Sequence, residues 1–308
     1  MQVVNEKRSN EKISLASHLK YWLMAFRPKT LTAALVPVIA ATALIKALQF
    51  PIQWWISGLA LAASLFIQIG TNLVNDAVDF KKGADNADRI GPKRVTQAGV
   101  FSSGSVLGLA ALFFLLAVIC GIPLVIQGGW PIFWIGIISV LCGYAYTAGP
   151  FPLAYKGMGD FFVILFFGVI AVSGLVYLQI HEWRIEAFVL GLQVGFHCTV
   201  LIAVNNLRDV EGDLLVNKRT LPVRFGKRFA RNEIAVLSFV PFLFLTYWLQ
   251  LGFGWFLLLP LLSLPLAIRL VKKVFVTEPS VVYNSFLAQA AGLHVSFGVL
   301  LSLGLVLC

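Results

Sequence analysis

Charge is what this sequence has least of. Only 12% of its 308 residues are Asp, Glu, Lys or Arg, about half the share a soluble domain of this size carries. That is too little charge to cover a water-exposed fold, and 59% of the residues are hydrophobic. Cysteine is scarce as well. Cys120, Cys142, Cys198 and Cys308 stand in apolar surroundings with no short paired spacing, which argues against a disulfide framework or a zinc site and leaves them as small packing residues. The four histidines, His18, His181, His197 and His294, are scattered and suggest no metal cluster. His197, alone in mid-span, reads as a buried histidine bonded within the core. Residues 1–26 mix Glu6, Lys7, Arg8, Glu11 and Lys12 without an apolar stretch, so neither a cleavable signal peptide nor a transit peptide is expected there.

What the chain has in quantity is apolar runs of about 20 residues, each able to cross a bilayer as a helix. Gly128-Gly129, Gly149-Pro150 and Gly252 punctuate them. Nine helices are expected, near 31–50, 54–75, 104–122, 131–148, 159–179, 187–206, 233–251, 253–271 and 286–306. Trp54, Trp55, Trp130, Trp183 and Trp255 fall near predicted ends, as an interfacial aromatic belt requires. The expected fold class is therefore an all-α polytopic membrane bundle, with a cytoplasmic N-terminal segment over 1–26 and one transmembrane domain over 27–308.

Orientation follows from the bases. With the N-terminus in the cytoplasm, nine alternating helices leave 22 of the 24 Lys and Arg residues inside and only Lys46 and Arg184 outside, as the positive-inside rule demands. The net charge of +10 is thus arranged by membrane side and does not point to nucleic acid. The acids are arranged differently. Seven of fourteen carboxylates crowd two short windows at the cytoplasmic ends of the second and sixth helices: Asp76, Asp79, Asp85 and Asp88, then Asp209, Glu211 and Asp213. Charges at a membrane boundary need partners or a wet cavity, and two clusters four helices apart read as halves of one site.

If the second helix continues through the first window, Asn72, Asp76 and Asp79 share a face at spacings of three and four, with Asn75 beside them. On a helix, Asn205, Asp209 and Asp213 stack in the same way. Two facing carboxylate surfaces make a hard, oxygen-rich site suited to Mg²⁺, with Asp76, Asp79, Asp85, Asp209 and Asp213 as candidate ligands. A metal-bridged diphosphate is the natural guest, because two acidic clusters alone would repel it. Lys81, Lys82, Arg89, Lys93, Arg94, Arg208, Lys218 and Arg219 are the bases available for its remaining oxygens, with Asn72, Asn75 and Asn205 as polar partners. Neutralising a leaving diphosphate lowers the barrier to C–O cleavage. Among Tyr144, Tyr146, Phe161, Phe162, Phe166 and Phe167 are ring faces able to stabilise an allylic cation at membrane depth.

These residues resemble the UbiA-type intramembrane prenyltransferases. Asn72, Asn75, Asp76, Asp79 and Asp85 look like that family's Asn-Asp-x-x-Asp-rich signature, and Asp209 and Asp213 like its Asp-x-x-x-Asp signature. Asp79-Phe80-Lys81-Lys82-Gly83-Ala84-Asp85 and the run Ala87 to Arg94 are similar to one branch, the 1,4-dihydroxy-2-naphthoate polyprenyltransferases of menaquinone synthesis. So are Arg27-Pro28-Lys29-Thr30-Leu31, Asn205-Asn206-Leu207-Arg208-Asp209, Lys156-Gly157-Met158-Gly159-Asp160 and Lys218-Arg219-Thr220-Leu221. The resemblance covers about residues 18–300. One departure is Ala77-Val78, where an aromatic pair often follows Asn-Asp.

The resemblance implies a bundle around a central cavity that opens laterally to lipid, Mg²⁺ between the acidic motifs, and polyprenyl diphosphate and an aromatic acid as substrates. It also implies loss of carbon dioxide along with diphosphate, in a bacterial inner membrane. For the acceptor, Lys156 and Asp160 are the leading candidates, followed by Arg27, Lys29 and Tyr146. The nearest rival is a prenyltransferase acting on another aromatic acceptor, such as 4-hydroxybenzoate or homogentisate, and the rival from another class is a cation-coupled transporter. Such a protein places acids and broken helices at the bilayer midplane, whereas here the acids crowd the cytoplasmic ends.

Overall fold

The computed structural model describes residues 15–85 and 89–308, with side chains from residue 20 onward. Every regular element among them is helical. The short helix α1 (Leu15–Phe26) precedes α2 (Pro28–Ala47) and α3 (Trp54–Lys81). Then come α4 (Ser103–Ala145), α5 (Gly159–Ile164), a π segment (Leu165–Ile170) and α6 (Ala171–Ile180). The second half holds α7 (Ile185–Arg208), α8 (Val210–Leu215), α9 (Leu221–Leu243), α10 (Leu245–Gln250), a 3₁₀ segment (Trp255–Ser263), α11 (Leu264–Val276) and α12 (Tyr283–Leu307).

Eight helical stretches among the described residues are long and apolar enough to cross a membrane, and one of them counts twice. At 43 residues, α4 would be about 65 Å long if straight, twice the hydrocarbon thickness. It breaks at Gly129, whose φ of 65° and ψ of −154° suit a residue without Cβ. A carbon at the Cβ position of Gly143 would lie 3.4 Å from the Phe114 ring, although a straight helix would hold these residues roughly 43 Å apart. The two legs therefore fold back as a hairpin, and the described residues make the nine crossings expected. The chain is an integral, multi-pass membrane protein.

Burial separates an inner ring from a periphery. In α7, 72% of the most apolar window is buried, against 17% in α4. Close approach in the inner ring depends on small residues. A Cβ on Gly168 of the π segment would sit 2.3 Å from the Gly191 carbonyl and 2.6 Å from the Gly195 Cα, so the two backbones touch through a Gly-x-x-x-Gly face. Some buried polar groups within the apolar bundle are paired. Gln193 donates to the Pro241 carbonyl at 2.9 Å and accepts from Trp248 Nε1 at 2.7 Å, and His197 Nε2 lies 3.1 Å from the Ser238 carbonyl.

Several boundaries differ from the sequence reading for local reasons. The second helix runs to Lys81 rather than 75, carrying the first acidic motif on its last turns. The seventh begins at Leu221 rather than 233, bends at Gly226 and contains Pro241. The eighth starts as 3₁₀ around Pro260, which removes an α-type donor.

Candidate active site

The C-terminal end of α3 distributes its polar residues to three neighbours. Asn72 donates to the Phe26 carbonyl at 3.0 Å and the Thr30 hydroxyl at 3.1 Å, fixing the α1–α2 junction. That junction places Arg27 in the left-handed region, with φ 52°. Asn75 accepts a hydrogen bond from the Thr147 hydroxyl. Asp79 accepts one from the Tyr155 hydroxyl at 2.9 Å. Asp76, expected beside Asp79, faces elsewhere. It accepts the backbone N–H groups of Val95 and Thr96 at 3.2 and 3.1 Å and the Thr96 hydroxyl, so its charge holds the following loop against α3. Asp85 pairs with Arg89 at 2.6 Å and Arg94 at 3.4 Å. Burial pushes its pKa up to about 6 despite the Arg89 guanidinium. Asp88 lies outside the described residues.

The second motif is not one continuous helix. The path bends at Asp209, with φ −93° and ψ 8°, yet the Asp209 N–H still bonds the Asn205 carbonyl at 3.1 Å and the Asp213 N–H bonds the Asp209 carbonyl at 2.8 Å, so the three residues keep their spacing of four across the junction. Asp209 is engaged twice by Arg208, at 2.8 and 2.6 Å. Arg208 is enclosed, reaching Asn205 Oδ1 and Asn284 Oδ1 at 2.8 Å each. Asn284 in turn donates to the Ile90 carbonyl at 3.3 Å. Arg208 thus clamps α7, α12 and the loop after the first motif. Asp213 faces Lys218 at 3.3 Å. Burial raises the Asp213 pKa to about 6, opposed by Lys218 and reinforced by Asp209 and Asp79. Burial alone would lower Lys218, but Asp213, Asp79 and Asp209 together hold its pKa above the ordinary lysine value. The two motifs therefore share one electrostatic site.

A central cavity of about 970 Å³, counting its open mouth, gathers Arg27, Asn72, Asn75, Asp79, Arg94, Tyr146, Asn205 and Lys218. Several buried polar atoms around it have no hydrogen-bond partner: Arg27 Nη2, Arg94 Nε and Tyr146 Oη, together with Asp85 Oδ2 and Asp160 Oδ1. A polyanion would satisfy the cationic members of this set. Lys29, Lys81 and Lys93 are exposed and outside the cavity. Arg89 spends its guanidinium on Asp85 and the Pro92 carbonyl. Lys82 and Lys156, with Arg219, line a separate groove beside Tyr155. Among the described residues no three carboxylate, histidine or cysteine side chains converge as a metal group. A divalent ion here would complete its shell with water and phosphate oxygens, as Mg²⁺ commonly does.

The residue that joins the halves was not singled out from the sequence. Tyr155 bonds Asp79 through its hydroxyl and accepts the Arg219 N–H through its carbonyl at 3.1 Å. Its ring lies 4.2 Å from Lys82 Nζ and 5.7 Å from Lys218 Nζ, a cation on either motif's side. The one legible signal was an aromatic residue placed directly before Lys156, the sole base of its connection.

Past Tyr146 the cavity becomes apolar. Ala33, Thr71, Tyr146, Val163 and Phe167 border both it and a throat that Phe162 and Phe166 also line. The throat shares Ser64, Ile67, Ser139, Phe166 and Ala171 with a chamber of about 1570 Å³, counting its open mouth, between the legs of α4, α3 and α6. Of the candidate aromatics, Tyr146, Phe162, Phe166 and Phe167 line this path, whereas Tyr144 and Phe161 are exposed on the bundle's outside.

Comparison with known proteins agrees with this geometry. Over 311 residues the chain is 30% identical to the 1,4-dihydroxy-2-naphthoate octaprenyltransferase of Haemophilus influenzae, covering 98% of this chain and 99% of that one. It is 33% identical to the enzyme of the same name from Escherichia coli, covering 89% and 98%. The structure of a UbiA homolog from Archaeoglobus fulgidus, bound to DMAPP and Mg²⁺, superimposes with a TM-score of 0.60 at 16% identity, over 92% of this chain and 99% of that one. The UbiA prenyltransferase family pattern matches residues 34–291, and the chain belongs to that family.

Proposed function

We propose that the protein transfers a polyprenyl group from polyprenyl diphosphate to 1,4-dihydroxy-2-naphthoate, with loss of carbon dioxide and diphosphate, as a step of menaquinone synthesis. The observation that carries the reading is the continuity between a polar cavity lined by Arg27, Arg94 and Lys218, with donor atoms of Arg27 and Arg94 left without a hydrogen bond, and an apolar path opening between the legs of α4. A substrate with a diphosphate at one end and a long hydrocarbon at the other matches both ends. The names of the Haemophilus influenzae and Escherichia coli relatives support the naphthoate as acceptor.

Each residue's work follows from its place. Arg27, Arg94 and Lys218 bind the diphosphate oxygens. Asp79 and Asp213 would hold Mg²⁺, with Asp85 and Asp209 nearby but already engaged by arginines. When bound, that ion supplies the positive charge that lets the carboxylate motifs accept a diphosphate and stabilises it as a leaving group. Tyr155 keeps Asp79 aimed. Tyr146, Phe162, Phe166 and Phe167 surround the position where allylic charge develops and keep water from it. Arg27 and Tyr146 border the space left for the aromatic acid, with Asp160 behind Tyr146. The active face lies on the cytoplasmic side of a bacterial inner membrane, with the N-terminus inside.

The test is diphosphate release by purified protein supplied with farnesyl or geranylgeranyl diphosphate. Release requiring both the naphthoate and Mg²⁺, with evolved carbon dioxide, is the expected result. Release with 4-hydroxybenzoate but not the naphthoate would overturn the acceptor and leave the reaction class standing. No release with any aromatic acceptor from folded protein would overturn the enzyme reading.

A further inference from the structure

On the cytoplasmic side of Tyr155 lies a second groove, separate from the central cavity. Lys82, Lys156, Arg219 and Arg224 line it with Tyr155, Asn217 and Pro152. No carboxylate is among its lining residues, and none of the four cations makes an ion pair with a described residue. Four cations converging without a counter-charge repel one another, an arrangement that an anion relieves.

The groove is built rather than a chance gathering of surface side chains. Arg224 is held by two backbone acceptors, the Arg219 carbonyl at 3.1 Å and the Lys156 carbonyl at 2.8 Å. Lys82 is held by the Thr147 carbonyl at 2.8 Å, and Arg219 by Asn217 Oδ1 at 3.1 Å. The two walls meet at Gly157, which has φ +68° and where a Cβ would stand 2.7 Å from the Arg219 carbonyl and 3.0 Å from Arg224 Nε. Only glycine permits this backbone angle and this approach together.

The floor is the partition between groove and cavity. Lys218 lines the cavity and Lys82 the groove, at 5.7 and 4.2 Å from the same Tyr155 ring. A line of positive charge therefore runs from the carboxylate motifs, past Tyr155, to the cytoplasmic surface. We propose that the groove is a second oxyanion site, taking diphosphate on the cytoplasmic side of the Tyr155 partition as the product leaves the central cavity. The identity of the anion rests on the prenyl-transfer reading. The carboxylate-free lining sets a distinguishing property: this site binds diphosphate without a divalent ion, whereas the carboxylate-bearing cavity needs one.

Equilibrium dialysis of radiolabelled inorganic diphosphate against the full chain in phosphatidylcholine nanodiscs tests this, with EDTA or Mg²⁺ present. Binding is expected in EDTA, weakening as salt is raised because the groove is open to solvent. Lys156→Gln combined with Arg219→Gln is expected to weaken it about tenfold or more, by removing two charge-assisted partners. The charge-conserving pair Lys156→Arg with Arg219→Lys keeps it, which separates loss of charge from loss of fold. Asp79→Asn leaves it unchanged. No binding in EDTA, or binding lost in Asp79→Asn while the glutamine pair binds normally, overturns the groove site. Displacement of diphosphate by phosphatidylglycerol in the nanodisc would assign the site to a lipid headgroup and overturn the product role. Prenyl transfer is followed on the same samples. Transfer without EDTA-resistant binding rejects the groove alone, and EDTA-resistant binding without transfer rejects the enzyme reading.

Discussion

Replacing Tyr155 by Phe removes one oxygen and tests whether this residue aims Asp79, the first-motif carboxylate proposed to hold Mg²⁺. The ring, its cation contacts and the backbone acceptor for Arg219 all remain. What disappears is the 2.9 Å hydrogen bond to Asp79. Burial first, and the neighbouring Asp79 charge second, hold the Tyr155 phenol well above its ordinary pKa, so the hydroxyl is a donor at any working pH. A hydrogen bond to a charged group is worth about 1.5–3 kcal/mol. If that energy orients Asp79 in the transition state, kcat/KM for prenyl transfer falls roughly 10- to 100-fold, and the Mg²⁺ concentration for half-maximal rate rises. Without Mg²⁺, the thermal midpoint also drops, because a buried carboxylate loses its donor. The assay is initial-rate diphosphate release across a Mg²⁺ series, beside a melting curve in EDTA. A Tyr155→Phe enzyme with unchanged kcat/KM and unchanged Mg²⁺ dependence would refute the positioning role, whatever its stability.

The two carboxylates of the first motif should separate by phenotype. Asp79→Asn is expected to lower turnover at least about 100-fold with a nearly normal melting curve. Asp76→Asn should cost about 1–3 kcal/mol of stability, because it weakens acceptance of three buried donors. Gly168→Ala forces a carbon to 2.3 Å from the Gly191 carbonyl, and overpacking of that kind should destabilise by about 1–3 kcal/mol, read as a lower thermal midpoint in detergent. Asp213 and Asp85, both raised to about 6 mainly by burial, must ionise to serve a cation-dependent site, so activity should fall as pH drops through about 6. The sign for stability is opposite. A carboxyl with a folded pKa above its unfolded value binds more protons when folded, so the metal-free protein should lose stability as pH rises from about 4 to 6 and change little beyond. Asp213→Asn should flatten part of that slope, as followed by melting temperature against pH in EDTA.

Much of the fold was legible because a bilayer leaves so few options. Apolar runs of spanning length must be helices, and their bases must sort by side. Even the turn inside the 43-residue helix was marked, by Gly128-Gly129. The placement of both acidic windows at the C-terminal ends of helices was likewise a matter of counting. Side-chain direction was not legible. Asp76 and Asp79 are three residues apart on one helix, and spacing alone makes them equivalent. Their different neighbours, the Val95–Thr96 turn and Tyr155, separate them.

The same limit applies to the bases. More than sixty residues of intervening chain separate Lys82 from Lys156 and Lys156 from Arg219, and nothing local says that these three share a groove while Lys218, next to Arg219, turns into the cavity. By itself the sequence determined the membrane class, the number of the crossings, and the residue types the chemistry needs. These depend on hydropathy, charge and short-range periodicity, all properties of a linear string. Only the tertiary structure decided which carboxylate faces the cavity and which holds a loop, that Tyr155 joins the motifs, and that Lys156 lies outside. Those outcomes depend on which backbone donors and aromatic faces packing brings within about 3–6 Å, and distance across the fold is not written in order along the chain.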